Sequence, residues 1–340
     1  MLLFSSKYIF ISPALLNDTG ICFIRVPSSE LNNIERANQD YQTGLDYLTT
    51  SCIKCRYNPN YLDAIPFFKK AAEVYRGCGQ FEKEVQSRQM LIRCFNAEKS
   101  YWEEGNEYQK MSQTQINQLK NTQEAKISII NSFNAFATNR TYSDGIKAIT
   151  KASISFIDNG NKNEAEEILD FCFIGIEKYY HVLILNEEET HGYIYECIDK
   201  YIDLLFDKEK FEKSAEISER SAQIIKEENS EEKSVISKYH GFWALAELLN
   251  NNNKKYQEVV EKGMDIDNDS DNLCARINRL VNVINQKDKE NEKLIKKLYS
   301  DIARKIPGAM AKVFNIKYIQ VNIVKAQEIN TMDEEEEDMK

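Results

Sequence analysis

Between about Leu31 and Lys325 the apolar residues return every three or four positions, the period of an amphipathic helix and not the alternation of a strand. The clearest stretch is Tyr142 to Ile157, in which Ile146, Ile149, Ser153 and Phe156 fall on one face. It ends at Asp158, Asn159 and Gly160, where a glycine can take the left-handed conformation that stops a helix. A second helix is predicted from Asn163 to Lys178, with Ala165, Ile168, Leu169, Phe173 and Ile176 as its stripe. Together they make a helix–turn–helix hairpin.

Other segments open alike. Tyr61 begins a helix that passes Ala64 and closes at Gly77 to Gly79. Phe81 begins one that runs to about Ala97, and Phe211 begins one that ends near Lys226. The shared element is an aromatic residue, two polar residues and then a small one. The ring wedges against the preceding helix, and the small residue lets two helices approach closely. Tetratricopeptide repeats stack in this way, with a period of about 34 residues that longer helices stretch. The expected fold is all-α: tetratricopeptide-like antiparallel hairpins stacked into a curved, twisted sheet, with a C-terminal helical bundle. The repeats are degenerate, and no unit carries the full consensus. Residues 35–285 are assigned to the repeat domain, 286–328 to a C-terminal helical region and 329–340 to an acidic disordered tail. Residues 1–34 are read as an extension, disordered or not native.

Composition supports a helical chain. Five prolines and twelve glycines in 340 residues are too few breakers for a many-stranded fold. The net charge of −10 would be repelled by phosphates, which argues against nucleic acid as a partner. That charge is uneven. Residues 287–325 hold ten basic side chains against Asp288, Glu290, Glu292 and Asp301, whereas 333–340 hold six acids and one lysine. Such segregation predicts two separate electrostatic contacts, the plain alternative being a solvated helix face and a disordered tail. Eight cysteines are scattered through helical segments, as buried reduced thiols would be. No apolar run is long enough to span a bilayer. The apolar start, Met1 to Leu16, is read either as a weak signal peptide or as an extension from a misplaced start codon.

Candidate chemistry is thin. Cys52 and Cys55 form a lone Cys-x-x-Cys without the second pair that structural zinc needs. His181, His191 and His240 stand apart from one another in sequence. The loop of Asp265, Asp267, Asp269 and Asp271 resembles a calcium loop, but it lacks the glycine at its sixth position and has Arg276 where a bidentate acid belongs. No phosphate-binding glycine loop or nucleophile elbow occurs. The chain is therefore read as a non-enzyme with no cofactor and no metal.

Two stretches carry a family resemblance. Tyr57 to Tyr75, followed by Gly79, Gln80, Phe81, Glu82 and Lys83, is similar to the first repeat of the SNAP family of soluble attachment proteins. Lys151-Ala152-Ser153 and Ile157 to Gly160 match a hairpin of that family's gamma branch, and Lys210 to Ala215 resembles a later repeat. The acids 333–338 resemble its acidic end. The resemblance covers roughly residues 35–320 and the tail.

It implies a cytoplasmic adaptor, peripheral on endomembranes, that lies along the helical bundle of a SNARE complex of syntaxin type in vesicle fusion. The adaptor would present that bundle to N-ethylmaleimide-sensitive factor, a hexameric AAA ATPase that pulls it apart. Asp333, Glu334, Glu335, Glu336, Glu337, Asp338 and Met339 are then the ATPase-contact candidates. Lys69, Lys70, Lys99, Lys254 and Lys255 are candidates for the acidic SNARE surface. Ile53, Lys54, Arg56 and Tyr57 occupy the place of a loop that touches membrane weakly. The rival expectation is a repeat scaffold belonging to another complex.

Overall fold

The computed structural model describes residues 28–50, 57–186, 188–267, 269, 271–286 and 291–324. These residues form α-helices and no strand, and the chain divides into two units, residues 1–164 and 165–340. The fold is all-α and tetratricopeptide-like.

The first unit contains α1 (Ser28–Leu48), α2 (Tyr61–Gly77), α3 (Phe81–Ala97), α4 (Tyr101–Asn117), α5 (Thr122–Thr138) and α6 (Tyr142–Asp158). Helix α1 thus begins ahead of residue 35, inside the segment read as an extension. The helices α2 to α6 are each 17 residues long. Their regularity comes from the turns between them. The residues Gly79, Lys99, Lys120, Arg140 and Gly160 all have positive φ, between 55° and 79°. After α2, the Gln80 amide donates to the Tyr75 carbonyl (2.8 Å) and the Gly79 amide to that of Arg76 (3.2 Å). These two bonds are the Schellman pattern, which satisfies the last carbonyls of a helix while reversing the chain. The long-reaching bond recurs from Ser100 to Phe95, from Thr141 to Phe136 and from Asn161 to Phe156. A left-handed turn was expected at Gly160. The lysines and the arginine that adopt it were not, because L-residues there carry a strain of about 1 kcal/mol or more.

Close approach fills the core. A Cβ on Gly44 would lie 2.8 Å from the Phe68 ring, and one on Gly145 would lie 2.9 Å from Phe133. Tyr41 meets Phe68 edge-on with centroids 5.4 Å apart. The predicted α6 stripe, Ile146, Ile149, Ser153 and Phe156, is buried throughout. At Phe81 the small-residue slot is instead Glu84, fully buried and bonded by Arg88 at 2.7–2.8 Å. Arg88 also donates to buried Glu107 of α4 at 2.5 Å. This ionic triad ties α3 to α4, and deleting Arg88 would strand the Glu84 carboxylate away from water.

The second unit comprises most of α7 (Lys162–Asn186), α8 (Glu188–Asp207), α9 (Phe211–Glu228), α10 (Lys233–Leu249), α11 (Asn253–Ile266), α12 (Leu273–Asn285), α13 (Glu292–Ala303) and α14 (Gly308–Phe314). Helix α14 runs on through a π-helical segment, Asn315–Gln320, to Val324. The α7 stripe from Ala165 to Ile176 is buried as expected, but α7 continues past Lys178. Its continuation buries Tyr180 and Leu183. Helix α10 is the central element, buried without interruption from Gly241 to Leu248, as expected for a helix enclosed by neighbours. Left-handed Glu209 and Asn251 repeat the turn design. Asp203 of α8 accepts the Met310 amide at 3.0 Å and so caps α14.

A Cβ on Gly160 would meet nothing within 4 Å, so replacing this residue changes backbone strain alone. Gly160→Ala is expected to lower stability by about 1 kcal/mol, whereas Arg140→Gly, which relieves a left-handed L-residue, is expected not to. Urea midpoints of both variants test this. A shift of both in the same direction would show that the turn conformation does not govern stability.

Candidate interaction surfaces

Equal helices joined by equal turns place equivalent side chains in register. Helices α2, α4 and α6 each begin with a tyrosine, Tyr61, Tyr101 and Tyr142, and the tenth residue of each is a lysine: Lys70, Lys110 and Lys151. Helices α4 and α6 are tied side by side at both ends. The Trp102 indole donates to Asp144 at 3.0 Å, and Asn159 donates to Asn117 at 3.2 Å. Lys110 and Lys151 lie between these ties, one interhelix spacing apart, on the order of 10 Å. Lys151 is exposed. Lys110 leans on Glu107 (2.6 Å) and Lys70 on Asp40 (3.1 Å), each keeping nearly half its side chain in water. Leu62 and Trp102, the second residues of α2 and α4, are exposed apolar groups beside this row.

The five lysines singled out from sequence do not form one group. Lys69 and Lys70 adjoin on α2, while Lys99 is the left-handed residue at the tip of the α3–α4 turn. Lys254 is exposed on α11 of the second unit. Lys255 is engaged locally, with its ammonium 5.0 Å from the Trp243 ring centroid and 3.6 Å from Glu258. Sequence reasoning named Lys70 but missed Lys110 and Lys151. The signal was present in the spacing from each opening tyrosine to its lysine. Ile53, Lys54 and Arg56 lie outside the described residues, as do Asp333 to Met339; Tyr57 is described and is 75% exposed.

The densest lysine cluster is already occupied. Lys208, Lys210 and Lys213 converge on Glu166, with Lys210 at 2.7 Å and Lys213 at 3.4 Å. Burial pushes the Glu166 carboxyl up, but the bonds from Lys208 and Lys210 outweigh it and hold the group at about 2. The same unit has a cleft of about 490 Å³ lined by Tyr195, Glu196, Asp199, Lys200, Lys238 and Arg304, among others. Its charges are mixed, and Lys238 is paired with Asp199 at 2.5 Å.

The remaining chemical candidates resolve into structure. Cys94, Cys172, Cys197 and Cys274 are buried, and burial pushes the thiols of Cys94 and Cys274 up to about 11 and about 12. Cys52 and Cys55 lie outside the described residues. Buried His240 is bonded to the Ile236 carbonyl at 2.9 Å, and burial lowers its pKa. Carboxylates of the Asp loop accept from their own backbone, Asp269 amide to Asp267 (3.2 Å) and Asp271 amide to Asp269 (2.9 Å), while Arg276 pairs with Asp271.

No protein-family model and no curated protein matches this chain. Among solved structures it is similar to BtubC (BKLC) from P. vanneervenii, with 9% identity over 71% of this chain and 91% of that one and a TM-score of 0.33. A putative kinesin light chain of Podosopora anserina with nearly identical TPR-like repeats overlaps 72% of this chain at 14% identity. The overlap covers 97% of that protein, with a TM-score of 0.31. Overlaps at these scores carry no argument about function, and the fold assignment stands on the helix pairing described above.

A carboxyl depressed in the folded state, as at Glu166, stabilises the fold above its unfolded pKa, and the effect fades as pH falls toward the folded value. Glu166→Gln is expected to cost about 1.5–3 kcal/mol at neutral pH, the range for hydrogen bonds to a charged group. The deficit should shrink as pH falls from about 4.5 toward 2. Urea titrations across that window read it, and a deficit constant with pH would show that the lysines do not favour the ionised form.

Proposed function

We propose that this chain is an adaptor of SNAP type. It would bind the acidic helical bundle of a SNARE complex and recruit the hexameric ATPase N-ethylmaleimide-sensitive factor to take that bundle apart. The observation that carries the reading is the register of Lys110 and Lys151 across α4 and α6, with Lys70 in the same register on α2. Lysines one helix spacing apart suit a rod-shaped partner that repeats carboxylates along its axis. Attraction of this kind steers association and weakens with salt. Exposed Leu62 and Trp102 offer apolar contact beside the row. Rigidity supports the same reading, since buried rings in glycine gaps and a buried ionic triad resist deformation under load.

The acids 333–338 and Met339 are assigned the ATPase contact, and Ile53, Lys54, Arg56 and Tyr57 a weak contact with lipid. No helix among the described residues is long and apolar enough to cross a membrane, which is compatible with peripheral attachment. Catalysis has no part in this role, because the partner's ATP hydrolysis supplies the work.

The test pairs two variants in a disassembly assay with a purified SNARE complex and the ATPase. Lys110→Glu combined with Lys151→Glu is expected to weaken bundle binding about tenfold, since each exposed pair is worth up to about 1 kcal/mol and reversal adds repulsion. Lys254→Glu should leave binding unchanged. Removing residues 330–340 should spare bundle binding but abolish ATP-driven disassembly. Failure of the intact chain to bind the bundle or recruit the ATPase would refute the reading and leave a repeat scaffold for another partner.

A further inference from the structure

Among the described residues, the second unit carries an exposed cationic face. Lys293 and Lys297 on α13 and Arg304 at its C-cap follow one another at intervals of four and seven residues, which aligns them on one stripe. All three are exposed. Among the described residues, Asp301 reaches Arg304 only at 3.9 Å. Lys296 stands beside the stripe, paired within its own helix to Glu292. The Tyr299 hydroxyl donates to the Ala311 carbonyl at 3.0 Å and so packs α14 against α13. Exposed Lys312 is the next residue along α14. Apolar groups edge this face, with Leu294 43% exposed and Ile316 48% exposed.

We propose that the acidic segment 333–338 of this chain docks on the α13–α14 cationic face. Charge complementarity selects this occupant. Residues 287–325 hold ten basic groups and four acids, and residues 326–340 hold seven acids and one lysine, so the two stretches carry net charges of +6 and −6. Reach permits it. From Ala311, opposite Tyr299, the helical run to Val324 carries the chain about 20 Å away at roughly 1.5 Å per residue. Residues 325–332, if extended, can cover about 27 Å on the return. Tethering does the rest. A link of this length gives an effective concentration on the order of millimolar, so contacts far too weak to hold a free peptide suffice within one chain. Met332 and Met339 flank the acids and meet the chemistry of Leu294 and Ile316. The docking does not depend on the adaptor reading. Under that reading, however, it shields the ATPase-contact segment until a basic partner displaces it.

Carbodiimide coupling, which joins a carboxylate to an ammonium only when they touch, tests this on the intact chain without any partner. An equal mixture of nitrogen-15-labelled and unlabelled chains separates intrachain from interchain links by mass. The expected result at low salt is intrachain links from residues 333–338 to Lys293, Lys296, Lys297 and Lys312. These should disappear in about 0.5 M salt, where the screening length falls to a few ångströms. Lys293→Glu with Lys297→Glu should reduce the links at the unchanged Lys296 and Lys312 by about fivefold or more, while Lys226→Glu leaves them intact. Links scattered over exposed lysines such as Lys69, Lys99 and Lys151, links only between chains, or no links at all would overturn the proposal.

Discussion

The order of the first unit depends on a three-residue reversal with one left-handed residue at its centre. Two crossed backbone bonds close α2, α3, α5 and α6, and the next helix begins two residues after the left-handed one. From α2 to α6 the connections are three or four residues long. Helix starts therefore fall twenty or twenty-one residues apart from Tyr61 to Tyr142. Antiparallel packing follows because so short a connection permits nothing else. A fixed period then converts sequence position into surface position. Lys110 and Lys151 are each the tenth residue of their helices, α4 and α6, for that reason.

Packing holds that register by close contact. A ring seated over a glycine cannot slide along the helix without meeting a side chain, so each contact fixes an axial position as well as a distance. The buried Glu84–Arg88–Glu107 triad acts differently. Its desolvation cost means that it adds little net stability, but a misregistered α3–α4 pair would part buried Glu107 from Arg88. In the second unit α10 takes the central place, and Gly263 brings α11 so near α12 that a Cβ there would collide with the Cys274 sulfur. Cysteine serves here as a small apolar residue.

Much of this architecture could be read from the chain. Tyr61, Phe81 and Phe211 announce their helices, and the apolar stripes of α6 and α7 are the buried ones. What stayed hidden has identifiable physical causes. Lys99, Lys120, Arg140, Glu209 and Asn251 take a conformation that sequence logic reserves for glycine, so the turns they make carry no composition signal. Glu84 sits where a small residue was expected, and its buried charge is met from within its own helix by Arg88. Helix α7 outruns its predicted end because its tyrosine-rich continuation is buried on Tyr180 and Leu183. The interaction surface was the least legible part. A lysine looks alike in sequence whether it is exposed, as Lys151 is, or bound into an ion cluster, as Lys208 is.

That distinction decides what charge can do in this molecule. Of the lysines at the α8–α9 turn, three share one carboxylate, so the site already holds its anion and offers little field to a partner. Lys255 rests on an indole and Lys317 is paired with Glu209. Some exposed ammonium groups stand singly, as Lys99 and Lys254 do, but others fall on rows: Lys151 beside half-solvated Lys110 in the first unit, and Lys293 with Lys297 in the second. Helical periodicity makes each row a line of charge, and a line attracts an extended acidic chain or rod more strongly than it attracts a compact ion. An overall charge of −10 does not oppose this, because at physiological salt the field felt at a surface is set within about 8 Å. The net acidity of the chain therefore coexists with local cationic faces on both units.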